Sequence, residues 1–191
     1  AQITRQRFFR LYENMSGMTG TAIGCERELD DVYKLTVEEI PLRVPSQRIV
    51  LPIRFFATNA AKCHAIAQDI VFVQQLGRAV LVGTRSISDS ETLAAKLANQ
   101  GIECQLLNGL QDATEAEIIS HAGNPKSVTI ATNLAGRGTD IHLHPEVRAN
   151  GGLHVIVAEC QTSSRMDRQL IGRCARQGDP GSAQTYASAE D

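Results

Sequence analysis

Two clusters in the C-terminal half of the sequence carry residues that could bind a phosphorylated ligand. The first is the string ATNLAGRGTDI at residues 131–141, in which Gly136 and Gly138 flank Arg137 and precede Thr139 and Asp140. Glycines let the backbone turn tightly, and we expect Arg137 and Asp140 to project from the carboxyl edge of a sheet, where open α/β sheets bind ligands. A glycine-rich turn with an Arg–Asp surface pair fits the string equally well.

The second cluster is QLIGRCARQGDPG at residues 169–181, where Arg173 and Arg176 stand at i and i+3. On a helix this spacing places both guanidinium groups on one face. Two planar, permanently charged forks suit a phosphate chain better than they suit one carboxylate. The alternative is a solvated basic helix end, stabilised by the helix dipole, and the pair taken alone favours that alternative.

A third and weaker cluster is the string GMTGTA at residues 17–22. Its small and hydroxyl-bearing residues could contact phosphate or could simply form a tight turn. By itself the string does not decide between the two.

Composition narrows the classes of function. The chain has 191 residues, 42% apolar and 21% charged, which is typical of one soluble domain with room for a small appendage. Nineteen basic against 21 acidic residues give a net charge of −2, and this balance argues against a protein built mainly for duplex binding. Aromatic residues make up 4% and there is no Trp, so few rings are available for base stacking.

Neither export nor metal binding is expected from the sequence. No apolar run approaches the roughly 20 residues that cross a bilayer, and the polar, basic start lacks the apolar core of a signal peptide. The five cysteines are scattered without a C-x-x-C pair, so we expect reduced thiols and no metal site.

Strand and helix patterns alternate from residue 53 onward. Strands are predicted at 80–82, 102–107, 128–131, 153–157 and 182–188. Helices are predicted to begin at Thr58, at Ser88 with Glu91 as a capping box, at Asp112, and at Ser163 or Ser164, the last reaching about Arg176. Short connections between such elements indicate a parallel α/β sheet with helices on both faces.

The first 50 residues follow a different pattern. Residues 2–14 are predicted to be helical, with an apolar stripe formed by Phe8, Phe9, Leu11 and Tyr12. Prolines then punctuate an extended stretch. We therefore expect a separate segment at 1–35, a connector at 36–52 and the main α/β domain at 53–191.

In this order, the clusters resemble the later motifs of superfamily 2 helicase-type motors, and most closely those of the SecA preprotein translocase ATPase family. The resemblance covers nearly the whole chain. Residues 3–4, 9–13 and 17–22 are similar to a segment that returns into the family's first nucleotide-binding fold. The second such fold is matched by VLVGT at 80–84, TIATN at 129–133, GRGTD at 136–140, GGLH at 151–154 and QGD at 177–179.

The resemblance implies a RecA-like, P-loop NTPase-type domain of the helicase C-terminal kind, binding ATP in a cleft between two folds. It implies arginine-finger roles on the γ-phosphate for Arg173 and Arg176. It also implies nucleotide contacts from Gly136, Arg137, Gly138, Thr139, Asp140 and Gln177, with Asp140 at the ribose end. The chain contains no G-x-x-x-x-G-K-[ST] string, so the missing upstream fold would supply the phosphate loop and hold Mg²⁺. The chain would then be half of an ATPase.

Some positions depart from the family pattern. Ile171 stands where the family usually has an arginine, and Cys160 and Gln161 replace a basic pair. The stretch between Asp140 and Gly151 is also shorter than the family's usual insertion. We interpret the chain as part of a divergent SecA-like paralogue, and the sequence leaves open whether the altered motif supports turnover.

By resemblance, the partners would be the upstream nucleotide-binding fold, an unfolded preprotein, a membrane channel and an anionic lipid surface. The location would be cytoplasmic, including the inner face of the cell membrane. Two other hypotheses remain open. One is the C-terminal half of a nucleic-acid helicase, which the charge balance disfavours, and the other is a SecA-derived binding module without turnover.

Overall fold

The computed structural model describes residues 2–107, 112–132 and 139–191. The chain divides into two compact units, Ala1–Arg43 and Val44–Asp191. The larger unit contains a sheet with helices on both sides, and the smaller unit contains two short helices.

The sheet of the larger unit is parallel in every described pairing. Seven strands are seen in the described residues: β1 (Gln47–Val50), β2 (Arg54–Phe56), β3 (Val80–Thr84), β4 (Gln105–Leu107), β5 (Val128–Thr132), β6 (Leu153–Val157) and β7 (Pro180–Ser188). Their order is β1-β7-β6-β3-β5-β4, and β2 also pairs with β7. In register, Val80 lies between Val128 and His154. The predicted parallel α/β fold is confirmed.

Alternate residues along the strands pack against different layers of helices. Val80 and Val82 face one core cluster, which includes residues of α3 (Asn59–Gln75) and α4 (Ile87–Ala98). Leu81 and its neighbours face a second cluster. That cluster takes residues from α5 (Asp112–His121), α6 (Pro145–Ala149) and α7 (Ser164–Ile171). Because strand side chains alternate between faces, buried strands need apolar residues at nearly every position.

Helix starts follow local capping chemistry, with one shift from prediction. Thr58 caps α3 as predicted, accepting a hydrogen bond from the Ala61 amide at 3.2 Å. The cap of α4 is Ser86, which accepts from the Asp89 amide at 3.1 Å, and the predicted cap at Ser88 is wrong. Both serines are followed three residues later by an acidic residue. Because β3 ends at Thr84, the chain enters the helix at Ser86, the first of the two serines.

The smaller unit contains α1 (Arg5–Phe9) and α2 (Glu26–Tyr33). The predicted helix over 2–14 is therefore much shorter in the structure. Its aromatic rings pack edge-on against one another, with Phe8 5.6 Å from Phe9 and 5.7 Å from Tyr12 between ring centroids. All three remain 43–58% exposed, so this unit does not bury its own apolar stripe.

Strand β1 lies inside the stretch 36–52 that the sequence predicted as a connector. It pairs in parallel with β7 from Gln47 to Val50. Strand β4 is in turn shorter than the predicted 102–107, because Ile102 is buried in the core without joining the sheet. Part of the predicted connector is thus a strand of the larger unit.

Candidate functional site

Arg173 and Arg176 lie in a loop rather than on a helix. Helix α7 ends at Ile171 with Gly172 as its C-cap, so the predicted helix to about Arg176 is wrong at its C-terminal end. We call residues 172–179 the arginine loop. Ala175 and Gln177 have left-handed φ angles of 53° and 54°, which a continuing helix does not allow. The arginines are positioned by loop geometry and not by helical spacing.

Tertiary contacts hold the backbone of the arginine loop. The Arg48 side chain donates from Nε and Nη2 to the Cys174 carbonyl, at 3.2 and 2.8 Å. Gln47 Nε2 donates to the Gly178 carbonyl at 2.6 Å. A helix would offer the Cys174 carbonyl a backbone N–H, whereas here it accepts from an arginine distant in sequence. This explains why a helical pattern gives way to a loop.

Both arginines of the loop converge on one backbone carbonyl. Arg173 Nη1 donates to Thr139 O at 2.9 Å, and Arg176 Nη1 approaches the same oxygen at 3.4 Å. Arg176 Nε also donates to Gly172 O at 2.9 Å, which fixes the plane of its guanidinium. Two cationic forks therefore point at one partly negative oxygen, an arrangement that suits an anionic ligand.

Asp140 binds the same cluster through both carboxylate oxygens. Oδ1 accepts from Arg176 Nη1 at 2.9 Å, and Oδ2 accepts from Gln177 Nε2 at 2.7 Å. Burial by itself would raise the pKa of the Asp140 carboxyl, but the hydrogen bond and charge of Arg176 lower it below its usual value. The Arg176 and Asp140 side chains are 37% and 31% exposed, so solvent reaches the pair.

The structure thus brings together five of the predicted site residues: Thr139, Asp140, Arg173, Arg176 and Gln177. The predicted residues Gly136, Arg137 and Gly138 lie outside the described residues. The carboxylate of Asp140, expected to project from the carboxyl edge of the sheet, instead faces the arginine loop. It is already engaged there with two hydrogen-bond donors.

The string at residues 17–22 belongs to the smaller unit. Thr19 Oγ1 accepts from the Thr21 amide at 3.2 Å and lies 3.3 Å from Thr21 Oγ1. These contacts are local and match the turn alternative for the string.

Sequence reasoning missed several side-chain contacts that the structure shows. Arg85 and Glu159 form an ion pair just past the carboxyl ends of the adjacent strands β3 and β6. Knowing that parallel strands end at one edge could have suggested this pair. Arg48 and Gln47 had no such signal, because their partners lie more than a hundred residues away in sequence.

Three other features of the described residues concern metal binding, membrane spans and cysteine chemistry. Among the described residues, no three His, Cys, Asp or Glu side chains come together as metal ligands would. None of the described helices combines the length and apolarity that a membrane span requires. All five cysteines are free, and Cys174 is buried.

Family models match the chain over most of its length. The model described as SecA P-loop domain matches residues 45–148 and 143–191. The model described as SecA DEAD-like domain matches residues 1–30.

Curated relatives align with the entire chain. It is 51% identical over 190 residues to protein translocase subunit SecA 2 of Magnetococcus marinus, covering 100% of this chain and 29% of that protein. It is 49% identical over 191 residues to protein translocase subunit SecA of Chlamydia pneumoniae, covering 100% of this chain and 20% of that protein. The chain thus spans less than a third of the length of these relatives.

Solved structures share the fold at low sequence identity. One is the E. coli DEAD-box protein SrmB bound to regulator of ribonuclease activity A, with a TM-score of 0.59 and 23% identity. This match covers 79% of the present chain and 81% of the matched chain. Domain 2 of the Mss116p DEAD-box helicase bound to an RNA duplex gives a TM-score of 0.57 at 15% identity, covering 75% of this chain and 55% of that one. These matches establish a RecA-like architecture.

Proposed function

The chain belongs to the SecA family, and from that premise we propose that it is the second nucleotide-binding domain of an ATP-driven protein translocation motor. The observation that carries the proposal is the convergence of Arg173 and Arg176 on the Thr139 carbonyl, beside Asp140. Family membership supports the motor, and the arginine cluster supports a nucleotide-contacting role within it.

The cluster has the chemistry that a phosphate chain requires. A phosphate oxygen carries a full negative charge where the Thr139 carbonyl carries a partial one, so it competes well for the same donors. Arg176 is about one-third exposed, which leaves its guanidinium within reach of a ligand. Since both forks point at one place, a single γ-phosphate can accept from both.

We propose that Arg173 and Arg176 act in cis as arginine fingers. They would donate to the γ-phosphate oxygens and stabilise the charge that develops during phosphoryl transfer. Gly136, Arg137, Gly138, Thr139, Asp140 and Gln177 would contact the nucleotide from the same side. Asp140 accepts a hydrogen bond from Arg176 Nη1 at 2.9 Å, and this contact would help to orient the guanidinium.

The rest of the ATP site would come from an upstream fold. We propose that this fold supplies the phosphate loop and holds Mg²⁺, which would neutralise phosphate charge when bound. Residues 1–35 would be the segment that returns into that fold, and the DEAD-like match over 1–30 supports this assignment. The chain is then a segment of a longer protein, as its coverage of less than a third of its relatives suggests.

In the longer protein, opening and closing of two rigid nucleotide-binding folds would move an unfolded preprotein. Further partners would be a membrane channel and anionic lipid, and the motor would work in the cytoplasm and at the inner face of the membrane. Membership of the SecA family supports these proposals.

The test is ATP hydrolysis by the full-length protein that contains this chain. We expect unfolded preprotein or anionic lipid vesicles to stimulate the steady-state rate, and duplex RNA to leave it unchanged. Stimulation by duplex RNA alone would replace the proposal with a helicase half. Absence of hydrolysis despite an intact upstream phosphate loop would leave a binding module.

A further inference from the structure

The edge strand β1 is joined to the arginine loop through a charged side chain. Ile49 and Val50 of this strand are 62% and 59% exposed, whereas Arg48 between Gln47 and Ile49 is half-buried. An edge strand that leaves its apolar residues in solvent gains little from burial. The side chains of Arg48 and Gln47 in this strand donate hydrogen bonds to the arginine loop.

Arg48 is well suited to fix a carbonyl in one position. Its Nε and Nη2 both donate to the Cys174 carbonyl, at 3.2 and 2.8 Å, and the rigid guanidinium plane restricts where that oxygen can sit. Cys174 lies between the two site arginines in sequence. A shift of its carbonyl therefore moves the backbone that carries both of them.

Two further residues of the same segment contact the other end of the loop. Gln47 Nε2 donates to the Gly178 carbonyl at 2.6 Å. A methyl group added at Gly178 would lie 3.7 Å from Val44, so this glycine packs against the start of the segment. Val44 is also the first residue of the larger unit, directly after Arg43 at the end of the smaller one.

We propose that Arg48 is a positioning residue that ties the segment 44–48, where the chain passes from one unit to the next, to the arginine loop. Displacement of this segment then shifts the backbone of the loop and changes how Arg173 and Arg176 meet the γ-phosphate. The proposal rests on the proposed function for the effect on turnover. The attachment of the loop itself is independent of that function.

The experiment uses the full-length protein with Arg48→Ala, Arg48→Lys and a matched control, Arg54→Ala. Arg54 is also an arginine of a strand paired with β7, but its guanidinium lies over the rings of Phe56 and Tyr186. Three quantities are measured: the kcat for ATP hydrolysis, the KM for ATP, and the rate at which N-ethylmaleimide alkylates Cys174. Peptide mass spectrometry identifies the alkylated cysteine.

We expect Arg48→Ala to lower kcat about tenfold, because misplacing catalytic groups by about an ångström costs that much or more. The KM should change by less than about twofold. Arg48→Lys should recover part of the loss, because an ammonium can donate one of the two hydrogen bonds. Arg54→Ala should leave both constants near the wild-type values.

Alkylation reports on the loop without relying on turnover. Cys174 is 1% exposed, so it reacts only when the loop opens. Burial raises the pKa of its thiol and Arg48 lowers it. Removing Arg48 would by itself raise that pKa and slow the reaction, so faster alkylation in Arg48→Ala reports greater solvent access to the thiol. We expect an acceleration of at least about threefold on this scale.

The outcomes separate the inference from the proposed function. The inference is overturned if Cys174 in Arg48→Ala is alkylated at the wild-type rate. It is also overturned if Arg48→Ala keeps the wild-type kcat while Arg176→Ala is inactive. If alkylation accelerates but neither Arg48→Ala nor Arg176→Ala lowers kcat, the arginine-finger function fails while the attachment of the loop stands.

Discussion

Two polar clusters lie on opposite faces of the sheet, and both involve the β6–β7 side of it. In the first, His154 lies 2.7 Å from Ser182 Oγ through Nδ1 and 3.0 Å from Asp69 Oδ2 through Nε2. The Tyr186 hydroxyl donates to the same Asp69 oxygen at 2.9 Å. The second is the arginine loop with Thr139 and Asp140. Both are connected networks, yet they differ in burial and in charge.

The His154 cluster contains the residue types of a hydrolytic Ser–His–Asp triad, but it has neither the atom pairing nor the accessibility of one. Here Nδ1 meets the serine and Nε2 meets the aspartate, the reverse of the catalytic arrangement. His154 is 2% exposed and Ser182 is 8% exposed, so no substrate reaches the serine. The arginine loop instead presents two like charges to a partly exposed position. A buried network whose members bond one another stabilises the fold, whereas an exposed convergence of like charges is suited to bind an anion. Residue types alone therefore do not distinguish a cluster that stabilises the fold from one that is suited to bind an anion.

The largest expected effect is on the rate of ATP hydrolysis, which should depend on the arginine loop and not on the His154 cluster. In the full-length protein, Arg176→Ala should lower kcat by about 10³- to 10⁵-fold, the usual contribution of an arginine finger. ATP affinity should change much less, because the contact is made chiefly in the transition state. Steady-state ATPase kinetics measure both. A variant that keeps more than about a third of the wild-type kcat would leave Arg176 as a solvated surface residue.

The second prediction concerns the free energy of unfolding, to which the His154 cluster should contribute. Asp69→Ala leaves His154 Nε2 without this partner, and a buried group left unpaired costs about 1–3 kcal/mol. It also removes the acceptor of the Tyr186 hydroxyl, whose oxygen keeps the 3.3 Å hydrogen bond from Arg54 Nη1. Urea unfolding measures the loss in the free energy of unfolding, while the kcat of the folded protein should stay near wild type. Asp31→Ala is the control, since its ion pair with Arg27 is exposed and contributes at most about 1 kcal/mol. A deficit no larger than this control would show that the cluster is not stabilising.

The pH dependence of this deficit follows from the Asp69 carboxyl. Burial raises the pKa of the Asp69 carboxyl. The hydrogen bonds from His154 and Tyr186 and the charge of Arg54 lower it by a larger amount, so the folded-state pKa lies below its usual value. A lowered pKa contributes stability that is present above the unfolded-state pKa and is lost as pH falls through the folded one. The difference between wild type and Asp69→Ala should therefore shrink in acid. A constant difference down to strongly acidic pH would contradict this assignment.

A smaller effect is expected where Asp140 meets the arginine loop. Asp140→Asn keeps the shape but removes the charge that holds Arg176, so kcat should fall about tenfold, in line with the loss of one charge-assisted hydrogen bond. The split between kcat and KM sharpens the assignment. A rise in KM with an unchanged kcat would mean that Asp140 acts mainly by contacting nucleotide.

The smallest effect is expected at Cys174. The thiol is buried, it donates to the Ile171 carbonyl at 3.2 Å, and burial raises its pKa, so it is a packing residue rather than a reactive one. Cys174→Ser should leave kcat within about twofold of wild type, since a serine hydroxyl can make the same bond. ATPase activity measured with and without a thiol oxidant checks this. A tenfold loss would show that the residue has a chemical role.

Much of the fold could be predicted from local signals. Thr58 and Gly77 bound a helix because a hydroxyl can cap its first turn and a glycine tolerates the φ of 71° that follows its end. Buried strands such as β6 are recognised by their continuous apolar runs. The start of α4 was misplaced because two overlapping capping boxes occur there, and only the end of the preceding strand selects Ser86.

Residue types and their spacing were enough to single out the side chains that meet at the arginine loop. Arg173, Arg176 and Asp140 stand in strings that are conspicuous in the sequence alone, and Thr139 and Gln177 lie in the same strings. Their arrangement was decided by tertiary structure. Spacing predicted a helical face, but the Cys174 carbonyl is bonded by Arg48 from a strand that sequence analysis placed in a connector. Capping and periodicity act within a few residues, whereas the loop is set by hydrogen bonds between distant segments that meet only in the folded chain.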